Sequence, residues 1–275
     1  MTVDVQGHRG ARGYLPENTL PSFALAIEMG VDTLELDLAV TRDGVVVVHH
    51  DRRLHPDVAR GPDGEWLRRP TPTIHSLTFA ELERYDVGRL RPGSAYAAHF
   101  PHQQPRDGTR IPRLADLFAM AEKTAVRFNI ELKLLPTHPD ETLAPEPFAA
   151  AVLAEVRAAR MEKRVTIQSF DWRAVKAVER AAPEVATAYL TEAKDSDVAT
   201  VRAAGAKIWS PDYRALAPSM VEAAHAAGMR VVVWTVNEPR DIARLIGWGV
   251  DGIISDYPDR VIQEKKRMPQ EKSPR

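Results

Sequence analysis

The sequence predicts an α/β fold, a (β/α)8 TIM barrel with a small insertion after the second strand. Three observations support this prediction. Short β-branched runs alternate with helical segments about eight times along the 275 residues. A proline-rich stretch after the second strand is the one interruption of this alternation. Neither a P-loop nor a Gly-x-Gly-x-x-Gly motif follows the first strand, and eight units at this length favour a closed barrel over an open sheet.

The first part of the chain is divided by recognisable cap and turn residues. Thr19 precedes a helical pattern as its predicted N-cap, and Gly30 follows it where a helix commonly ends. Asp43-Gly44 is a hairpin-type turn signal. The elements predicted here are a strand at residues 3–9, a helix ending at residue 30, a strand at 33–40 and a valine run at 45–48.

Residues 52–111 break the alternation. Seven of the chain's twenty-one prolines lie in this segment, and only residues 79–85 have a helical pattern. A long irregular stretch inside an α/β fold is typical of a lid or small subdomain. We therefore predict a single TIM-barrel domain over residues 1–265, an insertion subdomain at 52–111 within it (the 52–111 segment), and a polar C-terminal tail at 266–275.

The alternation resumes after residue 111 and supplies the remaining units of the barrel. Predicted helices cover residues 114–123, 147–160, 172–181, 198–203, 218–226 and 239–246, with a last helix from Asp259. Predicted strands cover residues 126–134, 165–169, 185–190, 206–209, 230–236 and 252–255.

Composition argues against several classes of partner. Positive and negative side chains nearly cancel, so the formal net charge of −1 provides no field that attracts nucleic acid. No apolar run approaches the roughly 18 residues of a membrane helix, and the N-terminus lacks the pattern of a signal peptide. The absence of cysteine fits a reducing compartment. We predict a cytoplasmic protein that does not bind nucleic acid and does not insert into a membrane. The sequence leaves open whether the protein forms a homo-oligomer.

Two predicted strands carry carboxylates on one face. Glu35 and Asp37 alternate with leucines in the second strand, and Glu131 and Lys133 occupy the polar face of the strand at 126–134. Carboxylates that meet inside a barrel repel one another, and an uncompensated buried charge costs about 3–5 kcal/mol. A hard divalent cation with oxygen ligands removes this cost. Glu35, Asp37 and Glu131 are therefore predicted to bind one cation, Mg²⁺ or Ca²⁺.

Basic and imidazole side chains are expected beside this metal site, because active sites of such barrels lie at the C-terminal ends of the strands. Arg9 and Lys133 suit an anion, most simply a phosphate. His8 and His50 suit a reaction that takes one proton and gives one near neutral pH. Together these groups predict phosphodiester cleavage.

Gln168 and Trp234 lie at comparable positions on later strands and are predicted to line the substrate pocket. Taken alone, Gln168 is better explained as a hydrogen-bonded residue of the barrel interior.

Short motifs along the barrel have a combination known from one family. They are His8-Arg9-Gly10, Pro16-Glu17-Asn18-Thr19, Glu35-Leu36-Asp37, Asp43-Gly44, His50-Asp51, Ile130-Glu131-Leu132-Lys133, Gln168-Ser169-Phe170, Trp234-Thr235-Val236-Asn237 and Asp251-Gly252-Ile253-Ile254-Ser255-Asp256. This set resembles the signature of the glycerophosphodiester phosphodiesterases and covers nearly the whole barrel. Residues 77–82 resemble the family's small insertion, whereas residues 88–110 match nothing recognisable.

The resemblance implies an enzyme of glycerol and lipid metabolism that hydrolyses small glycerophosphodiesters to an alcohol and glycerol 3-phosphate with a divalent cation. It implies Glu35, Asp37 and Glu131 as metal ligands and the two histidines as the acid–base pair, with His8 as the base and His50 as the acid. It also implies that Arg9 and Lys133 hold the phosphate. Both water and the glycerol 2-hydroxyl fit as the attacking group.

Two other functions compete with this one. A lysophospholipase D-like phosphodiesterase needs an apolar channel, for which the 52–111 segment offers Trp66, Tyr96 and Phe100. A non-catalytic module that binds phosphate headgroups should lack a histidine or a carboxylate of the site, and none is missing. The alcohol moiety and the preferred metal are not predicted by the sequence.

Overall fold

Eight parallel strands close into a barrel in the computed structural model, which describes residues 3–192 and 197–267. The described residues form nine strands, of which all but β3 belong to the ring: β1 (Asp4–His8), β2 (Thr33–Val40), β3 (Val46–Val48), β4 (Arg127–Leu132), β5 (Val165–Ser169), β6 (Ala186–Thr191), β7 (Ile208–Pro211), β8 (Arg230–Val233) and β9 (Gly252–Ser255). β3 is antiparallel to β2 and lies outside the ring. The barrel closes because β1 pairs with β2 on one side and with β9 on the other.

Helices connect the strands and cover the outside of the barrel. They are α1 (Leu20–Met29), α2 (Phe79–Leu82), α3 (Ala95–Ala98), α4 (Leu114–Ala121), α5 (Pro145–Ala158), α6 (Trp172–Ala181), α7 (Val198–Ala203), α8 (Pro218–Ala226), α9 (Pro239–Gly247) and α10 (Pro258–Arg267). The predicted (β/α)8 barrel is confirmed. The described helices are too short or too polar to span a bilayer.

The ends of the elements follow local chemistry. The Thr19 side chain accepts a hydrogen bond from the Ser22 amide and caps α1, and Gly30 ends it with a φ of 88°. α5 begins earlier than predicted because proline is well tolerated in the first turn of a helix, and Pro145 occupies it. β8 ends at Val233, earlier than predicted, and Trp234 forms only an isolated bridge to Asp212.

The two faces of β2 separate the core from the site. Leu34, Leu36 and Leu38 are fully buried and pack in the main apolar cluster with Phe23 of α1 and Leu117 of α4. Because side chains alternate along a strand, the opposite face of β2 points into the barrel. The interior of the barrel is therefore polar where β2 crosses it.

The 52–111 segment has a small apolar cluster of its own, which packs on the β2–β3 hairpin. The buried members of this cluster are Ala39, Val47, Leu54, Ala59, Ile74, Leu82, Val87 and Ile111. The limits predicted for this subdomain stay a prediction. Of the predicted tail, residues 266–267 end α10, and residues 268–275 lie outside the described residues.

Candidate active site

The register of three neighbouring strands brings the predicted carboxylates together. His8 of β1 is paired with Glu35 of β2, and Asp37 of β2 with Glu131 of β4. All three carboxylate residues are buried, and each contributes one oxygen to a group whose members lie within 4.8 Å of one another. The acidic group therefore lies inside the barrel near the C-terminal ends of its strands, where barrel active sites are formed.

The pKa values of Glu35, Asp37 and Glu131 are shifted because the three carboxylates are buried close together. Burial, together with the charges of Asp37 and Glu131, raises the pKa of Glu35 well above its ordinary value. Burial also raises the pKa of Glu131 to about 7, although Lys133 opposes the shift. Burial disfavours the charge of Asp37 as well, but Arg9, His50, Lys133 and a hydrogen bond from Asn18 together outweigh burial and hold the pKa of Asp37 well below its usual range. Oxygen donors that crowd one another in this way fit a hard divalent cation such as Mg²⁺ or Ca²⁺.

Arg9 is held beside the carboxylates by its backbone as well as its side chain. Its amide donates to Glu35 Oε2 at 3.2 Å, and its Nε lies 3.0 Å from Asp37 Oδ2. Arg9 has a φ of 51°, and Gly10 follows with a φ of 89°. A Cβ on Gly10 would lie 2.7 Å from the backbone carbon of Ser22, so only glycine allows the chain to pass this close to α1. The strained turn at Arg9 is thus fixed by its packing against the first helix.

Lys133 follows directly after β4 and approaches the group from the opposite side of β2. Its Nζ lies 2.9 Å from Glu131 Oε1 and 3.6 Å from Asp37 Oδ1. Two cations therefore flank the three carboxylates, one from β1 and one from β4.

His8 is buried and oriented by a carboxylate from the last strand. Its Nδ1 lies 2.7 Å from Asp256 Oδ1, and its Nε2 lies 3.8 Å from Glu35 Oε2. Burial and the charge of Arg12 lower the pKa of His8 to about 4, although Asp256 opposes the shift. An ionised carboxylate can only accept, so Nδ1 carries the proton and Nε2 has a free lone pair. Neutral His8 can accept a proton on the side that faces the site.

His50 lies at the mouth of the site, two residues after β3. The backbone of this region is fixed where the His49 amide donates to the Asp37 carbonyl at 3.0 Å. His50 Nδ1 lies 2.6 Å from Asp51 Oδ1, and the His50 side chain is 30% exposed. Burial and Arg9 lower the pKa of His50. Each histidine thus has a carboxylate on Nδ1, but His50 is much more accessible to solvent than His8.

Gln168 points into the barrel and contacts a carboxylate of the acidic group. Its Nε2 donates to Glu35 Oε1 at 3.0 Å, and its Oε1 accepts from Asn129 Nδ2 at 3.0 Å. Asn129 in turn donates to Gln6, so amide side chains fill the axis of the barrel below Glu35. Gln168 is fully buried, and its contacts orient Glu35.

Trp234 lies on the wall of a separate cleft of about 420 Å³, which is also lined by Asp256, the partner of His8. Other residues that line this cleft are Arg12, Tyr96, Phe100, Tyr213, Asn237 and Asp256. The Trp234 ring packs edge-to-face on Phe170, with 5.4 Å between the ring centroids. Phe170 is 38% exposed and stands out as the exposed large apolar side chain of the described residues.

Three residues without a predicted role complete the network together with Tyr96, which the sequence offered only for the apolar channel of a competing function. Arg12 Nε donates to Asp256 Oδ1 at 2.8 Å, Glu17 Oε1 accepts from Arg9 Nη1 at 2.7 Å, and the Tyr96 hydroxyl contacts Glu17. Glu17 and Asp256 belong to motifs singled out in the sequence, which was the signal available for them. Arg12 and Tyr96 belong to none of these motifs, and although Tyr96 was a candidate for an apolar channel, no sequence signal predicted its contact with Glu17.

The chain is similar to known proteins over nearly its whole length. The model of the "Glycerophosphoryl diester phosphodiesterase family" matches residues 8–260. A glycerophosphodiester phosphodiesterase of Bacillus subtilis is 31% identical over 272 residues, which cover 94% of this chain and 85% of the relative. A glycerophosphodiester phosphodiesterase of Caldanaerobacter subterraneus is 29% identical over 265 residues, which cover 95% of this chain and 97% of the relative.

Solved structures agree with these matches. The crystal structure of a protein from Silicibacter pomeroyi, provisionally assigned as a glycerophosphoryl diester phosphodiesterase, superposes with a TM-score of 0.91 at 39% identity. The alignment covers 97% of this chain and 94% of that one. An Oleispira antarctica phosphodiesterase in complex with the product sn-glycerol-3-phosphate has a TM-score of 0.77 at 24% identity, covering 96% and 97% of the two chains. This last likeness concerns the fold alone.

Proposed function

The chain belongs to the glycerophosphoryl diester phosphodiesterase family, and on that basis we propose that it hydrolyses a small glycerophosphodiester to an alcohol and glycerol 3-phosphate with one bound divalent cation. The observation that carries this proposal is the buried group of Glu35, Asp37 and Glu131, flanked by the cations of Arg9 and Lys133. Such a site attracts a phosphate and can stabilise the charge that develops on it. A cytoplasmic location stays a prediction from the sequence.

We assign the binding of the cation, either Mg²⁺ or Ca²⁺, to Glu35, Asp37 and Glu131. When bound, the cation supplies positive charge to the phosphate oxygens of the substrate. Arg9 and Lys133 hold the same phosphate. Arg9 Nη1 is bound to Glu17 and Nε lies beside Asp37, so we assign the contact with a phosphate oxygen to Nη2. Gln168 orients Glu35, and Trp234 lines the cleft that reaches Asp256, the partner of His8.

The histidines divide the proton transfers. His8 is neutral because of its lowered pKa, and its Nε2 takes the proton of the attacking hydroxyl. Asp256 then stabilises the imidazolium through Nδ1. His50 gives a proton to the oxygen of the leaving alcohol, and the hydrogen bond to Asp51 favours its charged form against burial and Arg9, which lower its pKa. Water and the glycerol 2-hydroxyl both remain suitable as the group that His8 activates. Attack by water gives glycerol 3-phosphate directly, whereas attack by the 2-hydroxyl expels the alcohol and leaves a cyclic phosphate that water then opens to glycerol 3-phosphate.

No specific observation favours the two competing functions. The cleft beside Trp234 mixes aromatic rings with Arg12, Asn237 and Asp256, so it is not the apolar channel that a lysophospholipid needs. Trp66 lies next to Arg60 and does not line this cleft. Both histidines and all three carboxylates are present, which is not expected of a module that only binds headgroups.

A substrate panel tests the proposal. Glycerophosphocholine, glycerophosphoethanolamine, glycerophosphoglycerol and lysophosphatidylcholine would each be incubated with Mg²⁺, with Ca²⁺ and with excess chelator. Products would be identified by ³¹P NMR and mass spectrometry. We expect glycerol 3-phosphate and the free alcohol from at least one glycerophosphodiester, only when metal is present. Faster turnover of lysophosphatidylcholine would favour the lysophospholipase D-like function, and absence of turnover with either metal would contradict the proposal.

A further inference from the structure

We propose that Tyr96 of the 52–111 segment is a positioning residue for the reaction, because its hydroxyl holds Glu17 between the guanidinium groups of Arg9 and Arg12. The inference rests on the proposed function, since it concerns the same site. Tyr96 lies in the part of the chain that matched nothing recognisable in the sequence. It nevertheless reaches the network that surrounds the phosphate-binding and proton-transfer groups.

Glu17 is the central residue of this network, because it contacts Arg9, Arg12 and Tyr96. Its side chain is 13% exposed, and it lies 2.7 Å from Arg9 Nη1 and 3.5 Å from Arg12 Nη1. Burial disfavours its charge, but Arg9 and Arg12 outweigh burial and lower the pKa of Glu17 to about 2. Glu17 is therefore an ionised acceptor that must be hydrogen-bonded on both oxygens. Arg9 satisfies Oε1, whereas Oε2 is left to Tyr96 and to the longer contact with Arg12.

The Tyr96 hydroxyl has both a donor and an acceptor role here. Burial and the charge of Glu17 raise the pKa of Tyr96 above its ordinary value, so the hydroxyl keeps its proton. It donates that proton to Glu17 Oε2. Its oxygen accepts from Arg12 Nη1 at 3.4 Å. One hydroxyl thus joins the carboxylate to the second arginine.

Two chains of contacts connect Glu17 to the groups that are proposed to bind the phosphate and transfer protons. In the first, Arg9 continues to Asp37, with 3.0 Å between Nε and Oδ2. In the second, Arg12 donates to Asp256 at 2.8 Å, and Asp256 holds His8 at 2.7 Å. A shift of Glu17 therefore displaces both a phosphate-binding arginine and the support of the base.

Neighbouring residues of the same segment keep Tyr96 in place. Phe100 packs against the Tyr96 ring at 5.5 Å and lies 4.7 Å from the Arg12 guanidinium carbon. Gln103 Nε2 donates to the Arg12 carbonyl at 2.8 Å, and the Gln104 amide donates to the Tyr14 carbonyl at 2.8 Å. Residues 96–104 therefore clamp the loop that carries Arg12 and Glu17. The segment supports the machinery of the site as well as covering it.

Tyr96→Phe tests this role because it keeps the ring and removes only the hydroxyl. Small displacements of positioned groups can cost about 10²-fold, so we expect kcat/KM for a glycerophosphodiester to fall roughly 10- to 100-fold. Competitive inhibition by inorganic phosphate should weaken as well, because Arg9 is no longer held, while the melting temperature stays near that of the wild type. Tyr85→Phe is the matched control. Tyr85 packs against the small cluster of the same segment and is not part of the network around Glu17, so its substitution should leave turnover unchanged.

A second variant separates positioning from a general structural effect. Glu17→Gln removes the carboxylate to which Tyr96 donates, so the double variant with Tyr96→Phe should lose much less than the product of the two single losses. Independent effects that multiply would overturn the proposal. Tyr96→Phe with the kinetics and the phosphate inhibition of the wild type would also overturn it. A variant with a lowered melting temperature that regains full activity on cooling would overturn it as well, because the defect would then be one of stability. If the wild type itself turns over no glycerophosphodiester, the proposed function fails instead.

Discussion

His8 and His50 each have a carboxylate at Nδ1, yet their surroundings suit them to different tasks. His8 is buried at the end of β1 and contacts Asp256 after β9, and its lowered pKa keeps it neutral. His50 lies at the mouth of the site, where a leaving alcohol can reach it and then depart. This difference in accessibility is the residue-scale basis for treating His8 as the base and His50 as the acid.

The assignment predicts different responses to the leaving group. General acid–base groups typically contribute about 10²–10⁴-fold, so His8→Ala and His50→Ala should both cripple turnover of glycerophosphocholine. A nitrophenolate leaves without a proton. On a nitrophenyl phosphodiester the turnover rate of His50→Ala should therefore largely recover, while that of His8→Ala stays low. Steady-state rates on the two substrates measure this. The reverse pattern would exchange the roles, and equal defects on both substrates would contradict acid–base chemistry by these residues.

The sequence predicted the position of some side chains of the site but not of others. Alternation along two strands was enough to predict that Glu35, Asp37 and Glu131 share the barrel interior, and the group is found there. No local pattern could predict the contact of Tyr96 with Glu17, because these residues are 79 positions apart and joined by an irregular segment. Periodicity places a side chain on a face, but it does not place one loop against another.

At the scale of elements, the 52–111 segment contains a loop with a narrow base. The Arg106 amide donates to the Gly88 carbonyl at 2.6 Å, and the Val87 amide donates to the Thr109 carbonyl at 2.9 Å. The small apolar cluster of the segment lies outside residues 89–105, and Phe100 is the buried apolar residue inside them. Helices and strands of the barrel were predicted well because their periods are regular, whereas this loop has none.

Excision of this loop is expected to separate folding from turnover. Joining Gly88 to Arg106 through Asn-Gly keeps the hydrogen bond at the base and forms a two-residue turn. The variant should fold with a cooperative melt, because the barrel and the small cluster are intact, but it should lose at least as much kcat/KM as Tyr96→Phe. Circular dichroism melts and kinetics measure the two properties. An unfolded product would show that the loop belongs to the core, and full activity would contradict its role in positioning.

At the scale of the whole molecule, closure of the barrel assembles the site. Asp256 and His8 are 248 residues apart and meet because β9 pairs with β1. The sequence predicted the closed barrel from the number of strand–helix units. The sequence did not predict the contact between Asp256 and His8. Closure makes β1 and β9 neighbours, but Asp256 follows β9, and the conformation of the chain after a strand decides which side chain it contacts.

The central claim is that the carboxylates of β2 and β4 bind a divalent cation on which turnover depends, and thermal melting with metal tests it most directly. An ion that binds only the folded state at about 100 times its dissociation constant should stabilise the protein by about 2.7 kcal/mol. Asp212→Asn is a matched control, since Asp212 is buried after β7 but lies outside the acidic group. We predict a rise in melting temperature with Mg²⁺ or Ca²⁺ in the wild type and in Asp212→Asn, and loss of this rise together with turnover in Glu131→Gln. Full activity in excess chelator, with no shift in melting temperature on adding metal, would contradict the claim.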